Sequence, residues 1–584
     1  MQTEIRFIIN KPYLPLEKIH AVFAPIPTRQ NLFVVDRMTF ILFCEFLVKK
    51  QIFFFFQEIC VYLRDHQVSC DMLRKVFFIA CFSLPLCCCV IAQESYEEYL
   101  KARKSEYSSY KKKAQEDFAA YRAKVNAEYT RFMRERWKAF SGEEPIPAPE
   151  QEPPVPPTVA PQEEQDRPAV DRPVIIDKII EKPLAPISVP QPVVQIDKEP
   201  QPLPVVPTTP RKENFPEDKQ PKPSSDTRFA FSFYGTECRV QLDREQKFTL
   251  KNSQEDAVAD IWEQLCSDNY TDMVADCLRL KKELDLCDWA YLKMAETLGN
   301  AFLLQAFILN QSGYRIRLAR GNDSHLYLLI ASDYTIYGKR FFLLDNSRFY
   351  LLRAYEGNTM HIFDRKFPND CALSLAVENT PRFSSEMSDV RTLAAKKYPE
   401  VTVTVSTNKN LMDFLSDYPS SAVDNDESTK WSTFADIPLS PENRERLYPA
   451  LQKAITGKSE QDAANMLINF VQTAFVYEYD DKVWGGDRIF AADETLYYPY
   501  SDCEDRAILF TRLVRDLMGL ETALVYYPGH LAAAVRFNEN IPGDYFVIGD
   551  KRYLVCDPTY IGANIGRTMQ GMNNNEAQVI LLDR

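Results

Sequence analysis

Histidine is scarce in this chain of 584 residues: His20, His66, His325, His361 and His530 are the whole supply. No CxxC or HExxH spacing stands beside them. That excludes the usual zinc frameworks, and neither a metal nor a cofactor is expected. Positive charge is also short. Against 82 Asp and Glu there are 69 Lys and Arg, a formal net charge of −13, and no basic domain stands out. This balance argues against a nucleic-acid partner. Glycine is absent from residues 145–225, a stretch that holds 22 of the 38 prolines. "EPPVPPTVAPQEEQ" and "QPLPVVPTTP" offer no apolar period from which to build a core. Residues 143–226 therefore read as a disordered spacer with polyproline II character. At about 3.1 Å per residue it would reach on the order of 250 Å.

Residues 72–92, "MLRKVFFIACFSLPLCCCVIA", have the layout of a secretory signal. Arg74 and Lys75 precede an apolar core, and Val90, Ile91 and Ala92 supply the cleavage region. The native start is then Met72, and residues 1–71 are a non-native upstream extension. Export to the periplasm or cell surface follows as an expectation. Cleavage after Ala92 leaves Cys238, Cys266, Cys277, Cys287, Cys371, Cys503 and Cys556. An odd number of cysteines in an exported chain implies at least one free thiol.

Residues 93–142 carry an 11-residue repeat. Tyr96, Tyr107, Phe118, Tyr129 and Phe140 recur at that period, and Tyr99, Tyr110, Tyr121 and Phe132 follow it in step. Eleven residues make nearly three helical turns, so the rings form one stripe along a helix about 70 Å long. A lone helix cannot bury such a stripe. Self-association, coiled-coil fashion, or docking on another surface through residues 95–140 is expected.

Globular composition begins near Thr227. "TRFAFSFYG" and "CRVQLD" read as strands, helices follow to about Leu309, and "YRIRLAR", "HLYLLIA" and "KRFFLLD" read as strands. Residues 351–434 look strand-rich and connective. In 435–584 the pattern gives helices at 460–476 and 503–517, then strands at 521–527, 530–537, 544–548 and 552–556. The fold class is α+β.

The chemistry concentrates around "YPYSDCEDRAILF". Asp502 stands where an N-cap belongs, and Glu504 and Asp505 suit the first turn. Cys503 then lies at a helix N-terminus, where backbone N–H groups favour a thiolate and could hold an oxyanion. Asp505 and Arg506 read as a helix salt bridge. His530 follows a Pro-Gly turn in "YYPGHLAAAV", and Asp557 ends the strand of "KRYLVCDPTY". A helix-start thiol, a base on one strand and an orienting acid on another make a generalised triad. Trp484, in the loop before the cysteine helix, is the candidate wall of an acyl pocket.

The blocks "DETLYYPYSDCEDRAILF", "PGHLAAAVRF" and "VCDPTY" resemble the transglutaminase-like superfamily over about 435–584. The resemblance implies a papain-like fold, with Cys503 as nucleophile, His530 as general base and acid, and Asp557 orienting His530. It implies a peptide or protein substrate and a Cys503 thioester, resolved by water or by an amine. A noncatalytic binding scaffold at the cell surface is the other reading.

A degenerate second copy is expected at residues 227–350. With an offset of 206, Asp462 falls on Asp256, Gly519 on Gly313 and Cys503 on Thr297. One inserted residue later His530 meets His325. After a further shift, "DKRYLVCD" meets "GKRFFLLD", so Asp557 meets Asp345.

Overall fold

A computed structural model describes residues 101–193, 228–242 and 255–582, with short gaps inside the first and last stretches. The expected upstream extension 1–71, the expected signal at 72–92 and residues 194–227 lie outside the described residues. Residues 101–113 belong to one unit and residues from Ala114 onward to another. The described part of the first unit is helical, with Tyr107 and Tyr110 exposed.

The second unit starts with a helix that ends near residue 134, short of the expected 142. Its last turns are anchored: the Tyr129 ring stacks on Trp262 at 4.2 Å, and Met133 and Trp137 are buried beside it. Phe140 leaves the aromatic stripe because Lys138–Ser141 form a strand, β1, paired antiparallel with residues 359–362.

The disordered reading of the proline-rich stretch is wrong for its described residues. Two short strands, β2 (Arg172–Ile175) and β3 (Ile179–Ile180), join a sheet of the C-terminal lobe. Prolines give this stretch no core of its own. An existing sheet edge supplies the partners that its few free amides need.

The N-terminal lobe packs α2 (Phe302–Gln311) against a sheet, and α1 (Asp288–Leu298) against α2. Its strands are β4 (Ile316–Gly321), β5 (Leu326–Ser332), β6 (Phe341–Leu344), β7 (Ser347–Leu351) and β8 (Thr359–Ile362). Their order, with β1 at the edge, is β1-β8-β4-β5-β7-β6. In the connecting region a helix at Lys409–Ser416 joins the expected short strands.

The C-terminal lobe contains α3 (Glu460–Ala474) and α4 (Cys503–Met518). Five strands follow: β9 (Glu521–Tyr527), β10 (His530–Arg536), β11 (Asp544–Ile548), β12 (Lys551–Cys556) and β13 (Gln578–Leu581). The order is β2-β11-β12-β10-β9-β13-β3. Alternation along β10 explains why this sheet is buried on both faces. Leu531, Ala533 and Val535 join the cores on the helix side, while Ala532 and Ala534 face the opposite cluster with Val525, Phe546 and Val555. Ala533, the small residue on the helix side, lets α4 approach β10 closely. At the sheet's edges β2 and β3 are neighbours in sequence yet stand at opposite ends. The link from Ile175 to Ile179 can reach about 14 Å, whereas a flat seven-stranded sheet would be about 29 Å wide. The sheet is therefore curled around its second apolar face, and Ile176 is buried in that cluster.

Candidate functional site

Three local features set the site. The first is the start of α4, where the backbone of Asp502 is extended and Cys503 is the first helical residue. Asp502 does not cap with its side chain; its own N–H donates to Asp505 Oδ2 at 3.2 Å. Arg506 does not pair with Asp505. It is buried and donates to Ser501 Oγ and to the carbonyls of Gln472 and Phe475, tying α3 to the first turn of α4. Gly519, at φ 67°, ends the helix in the left-handed region that glycine tolerates.

The second feature is the turn before β10. Gly529, at φ 73°, delivers His530 as the first residue of the strand, with its side chain buried. The third is the residue after β12. Asp557 Oδ2 lies 2.9 Å from His530 Nε2, while Oδ1 accepts the N–H groups of Thr559 and Tyr560 at 2.8 and 3.2 Å. Both carboxylate oxygens are engaged, so the imidazole is held in one orientation. His530 Nδ1 is buried and has no hydrogen-bond partner.

Cys503 and His530 line one cavity of about 340 Å³ together with Lys430, Trp431, Tyr526, Leu531, Asp487 and Glu504. The thiol donates to Glu504 Oε2 at 3.0 Å. Burial first, and then the charges of Glu504 and Asp502, push its pKa well above the ordinary thiol value; a backbone hydrogen bond from Leu531 pulls the other way. The resting thiol is therefore protonated. All seven described cysteines are free thiols.

Beneath the thiol lies a cluster of acids. Asp480, Asp502 and Asp505 are buried and bring carboxylate oxygens within 4.8 Å of one another. Burial, followed by the charge of Glu504, raises Asp480 to about 7. Burial also leads in raising Asp502, Asp505 and Glu504 above the ordinary carboxyl range. Asp502 Oδ1 has no hydrogen-bond partner. An all-oxygen set of this kind suits a hard divalent cation and not zinc. Without one, like charges this close cannot all ionise, so protons must be shared among them.

His530 and Asp557 are thus brought together by a hydrogen bond and Cys503 by the cavity it shares with His530, with no hydrogen bond between thiol and imidazole. The other candidates are not. Trp484 packs against Arg488, Phe490 and Tyr498 and does not line the cavity. Thr297 stands near the end of α1, not at the start of a helix, and its hydroxyl donates to Lys293 O. His325 is exposed and pairs with Asp323 at 3.3 Å. Asp345 occupies the β6–β7 hairpin turn at φ 52°, the place held by Gly549 and Asp550 between β11 and β12. No triad forms there. Sequence reading missed Asp480, Lys430, Trp431 and Tyr526. Their only signal was a lone lysine-tryptophan pair and an acid pair, each opening a short helix. No family model and no curated protein matches the chain.

Proposed function

We propose that the C-terminal lobe is a papain-like, transglutaminase-like cysteine hydrolase or acyltransferase, acting on peptide or side-chain amides through a thioester on Cys503. One observation carries the reading: Asp557 occupies His530 Nε2 and leaves Nδ1 unpartnered on a residue that lines one cavity with Cys503. Nδ1 takes the thiol proton as Sγ attacks the amide carbonyl carbon. The negative charge on the carbonyl oxygen develops at the N-terminus of α4, where backbone N–H groups favour it. The C–N bond then breaks, and Nδ1 returns the proton to the leaving amine. Water, or a second amine, attacks the thioester with Nδ1 as base and restores the thiol. Because the thiol starts neutral, attack and proton transfer are coupled steps, and no standing thiolate is needed.

The test is an activity screen of the mature chain over peptide amides and glutamine donors, with hydroxylamine added to intercept the thioester. Turnover that disappears in Cys503→Ala, with a hydroxamate formed only by the parent, supports the reading. A second reading, a noncatalytic binding scaffold, is favoured by the thiol's raised pKa. Alkylation of Cys503 no faster than of Cys556 after unfolding-independent access is equalised would favour that scaffold. In this reading the protein acts outside the cytoplasm, which the signal-like residues 72–92 support. N-terminal sequencing from the native host checks this, with Gln93 the expected first residue.

A further inference from the structure

The cavity that holds Cys503 has an occupant from its own chain. The proline-rich segment leaves the N-terminal lobe beyond β1, with Glu143 N–H donating to Phe341 O and Ile146 O accepting from Gly338 N–H. It then crosses the cavity, where Pro149, Glu152 and Pro154 line the same space as Cys503 and His530. Val155 N–H donates to Gly529 O at 3.0 Å, one residue before His530. Pro153 O lies so close to Gly529 that a Cβ there would meet it at 2.5 Å. The Glu152 carboxylate accepts from the Tyr526 hydroxyl, whose pKa burial and this acid raise to about 12. Further along, Ala160 N–H donates to Ile561 O, and Ile561 N–H to Thr158 O, just past Asp557.

These contacts have the form of a peptide laid on the end of a sheet: an extended backbone held by main-chain hydrogen bonds, with side chains on either side of the reactive centre. Prolines 153, 154, 156 and 157 fix the extended shape before docking and lower its entropic cost. They also leave the strap a poor substrate. Between Glu152 and Pro157 only the Pro154–Val155 bond is a secondary amide, and its N–H is already given to Gly529 O.

We infer that the Tyr526–Gly529 edge is a docking groove for an extended, proline-containing acidic peptide, and that residues 152–160 fill it in the resting chain and cover Cys503. This docking rests on the proposed function only for its consequence, that displacing the strap opens a catalytic thiol. The ligand class is set by what the groove holds: a carboxylate for Tyr526, one free amide for Gly529 O, and proline rings over the cavity mouth.

The test uses the full chain and reads iodoacetamide alkylation of Cys503 by mass spectrometry. Val155→Pro removes the donor to Gly529 O, and Glu152→Lys reverses the group facing Tyr526. Each is expected to speed alkylation of Cys503 about tenfold or more by opening a local contact, with Cys556 unchanged. A synthetic peptide of residues 149–160, added in trans, should slow it again. Hydrogen exchange at the Val155 amide of the parent, which needs no variant to fold, should be slow. Folded variants whose Cys503 alkylates at the parent rate, a rapidly exchanging Val155 amide, or a peptide without effect would each overturn the inference. Adding His530→Ala to a strap-released chain separates the two claims. Accessible Cys503 with no change in reactivity on loss of His530 would sink the catalytic reading and leave the groove standing.

Discussion

The two lobes are built on one plan. In each, a helix that ends at a left-handed glycine, Gly313 or Gly519, runs into four antiparallel strands. The order β4-β5-β7-β6 matches β9-β10-β12-β11, and β8 flanks β4 as β13 flanks β9. The reactive geometry differs at every joint. In the C-terminal lobe α4 begins at the thiol; in the N-terminal lobe α2 begins at Phe302, and Thr297 belongs to the helix before it. His530 opens its strand buried and held by an acid, whereas His325 sits exposed in a turn. Charge is handled oppositely as well. Half-buried acids of the N-terminal lobe are matched to cations, Asp288 to Lys281 and Asp370 to Arg315. Those beneath Cys503 face one another. A shared strand order positions nothing by itself; the residue at the helix start and the length of each turn decide whether a site exists.

The largest contrast should come from the helix starts. Cys503→Ala is expected to remove amide turnover by about 10⁴-fold or more, and Thr297→Ala to leave initial rates unaltered. Comparable losses in both would break the distinction between the lobes. Next come the bases and their acids. His530→Ala should approach the loss at Cys503, and Asp557→Asn should cost about 10²–10⁴ through the orientation of the imidazole. The partner changes His325→Ala and Asp345→Asn should be silent in the same rate assay. Asp557→Ala should in addition lower stability by about 1–3 kcal/mol, read by urea unfolding, because two buried N–H groups lose their acceptor.

The smaller effects concern pH. Folding raises the carboxyl of Asp480 to about 7 and those of Asp502, Asp505 and Glu504 above their ordinary range. The folded state thus retains protons that the unfolded chain releases from about pH 4. Their stabilising contribution is full below that pH and is lost as pH rises, through about 7 for Asp480. Asp480→Asn keeps an acceptor for the Arg488 N–H but cannot charge. It should stabilise the fold at pH 8 by about 1–3 kcal/mol and flatten the pH dependence. Asp288→Asn should do the reverse, weakening the fold by a similar amount at pH 8, since it leaves Lys281 without its anion. Thermal unfolding of both variants at pH 5 and pH 8 gives the signs directly; equal signs would refute the contrast in charge handling.

Much of the C-terminal lobe was legible in the sequence. The apolar run in "HLAAAVR", the Pro-Gly turn and the acids around Cys503 are local signals, and the strands and α4 fall within a residue or so of where those signals place them. Asp345 was misplaced for a local reason too. "GKRFFLLD" imitates "DKRYLVCD", while β7, the strand in the equivalent place, has the less telling sequence "SRFYL". Trp484 sat near the motif in sequence, but Arg488 and two aromatic rings draw it away from the cavity. The strap was illegible because its partners are distant. Nothing in "EPPVPPTVA" announces a hydrogen bond to Gly529, and composition speaks only of what a segment does alone. The burial of Asp480 is hidden for the same reason.

The placement of β2 and β3 also dictates an order of events during folding. Arg172 pairs with Asp544, Ile179 with Val579, and Glu164 accepts from Tyr560 across 396 residues of chain. Each contact closes a very long loop, which slows its formation. Residues 152–180 are synthesised hundreds of residues ahead of the strands they border, and during that interval they have no partner. The sheet can be completed only after residues 578–581 exist, so closure of its β3 border is a late step. A chain stopped before Gln578 should therefore show fast amide exchange at 179–180 while α4 stays protected, and equal protection in both would contradict this order.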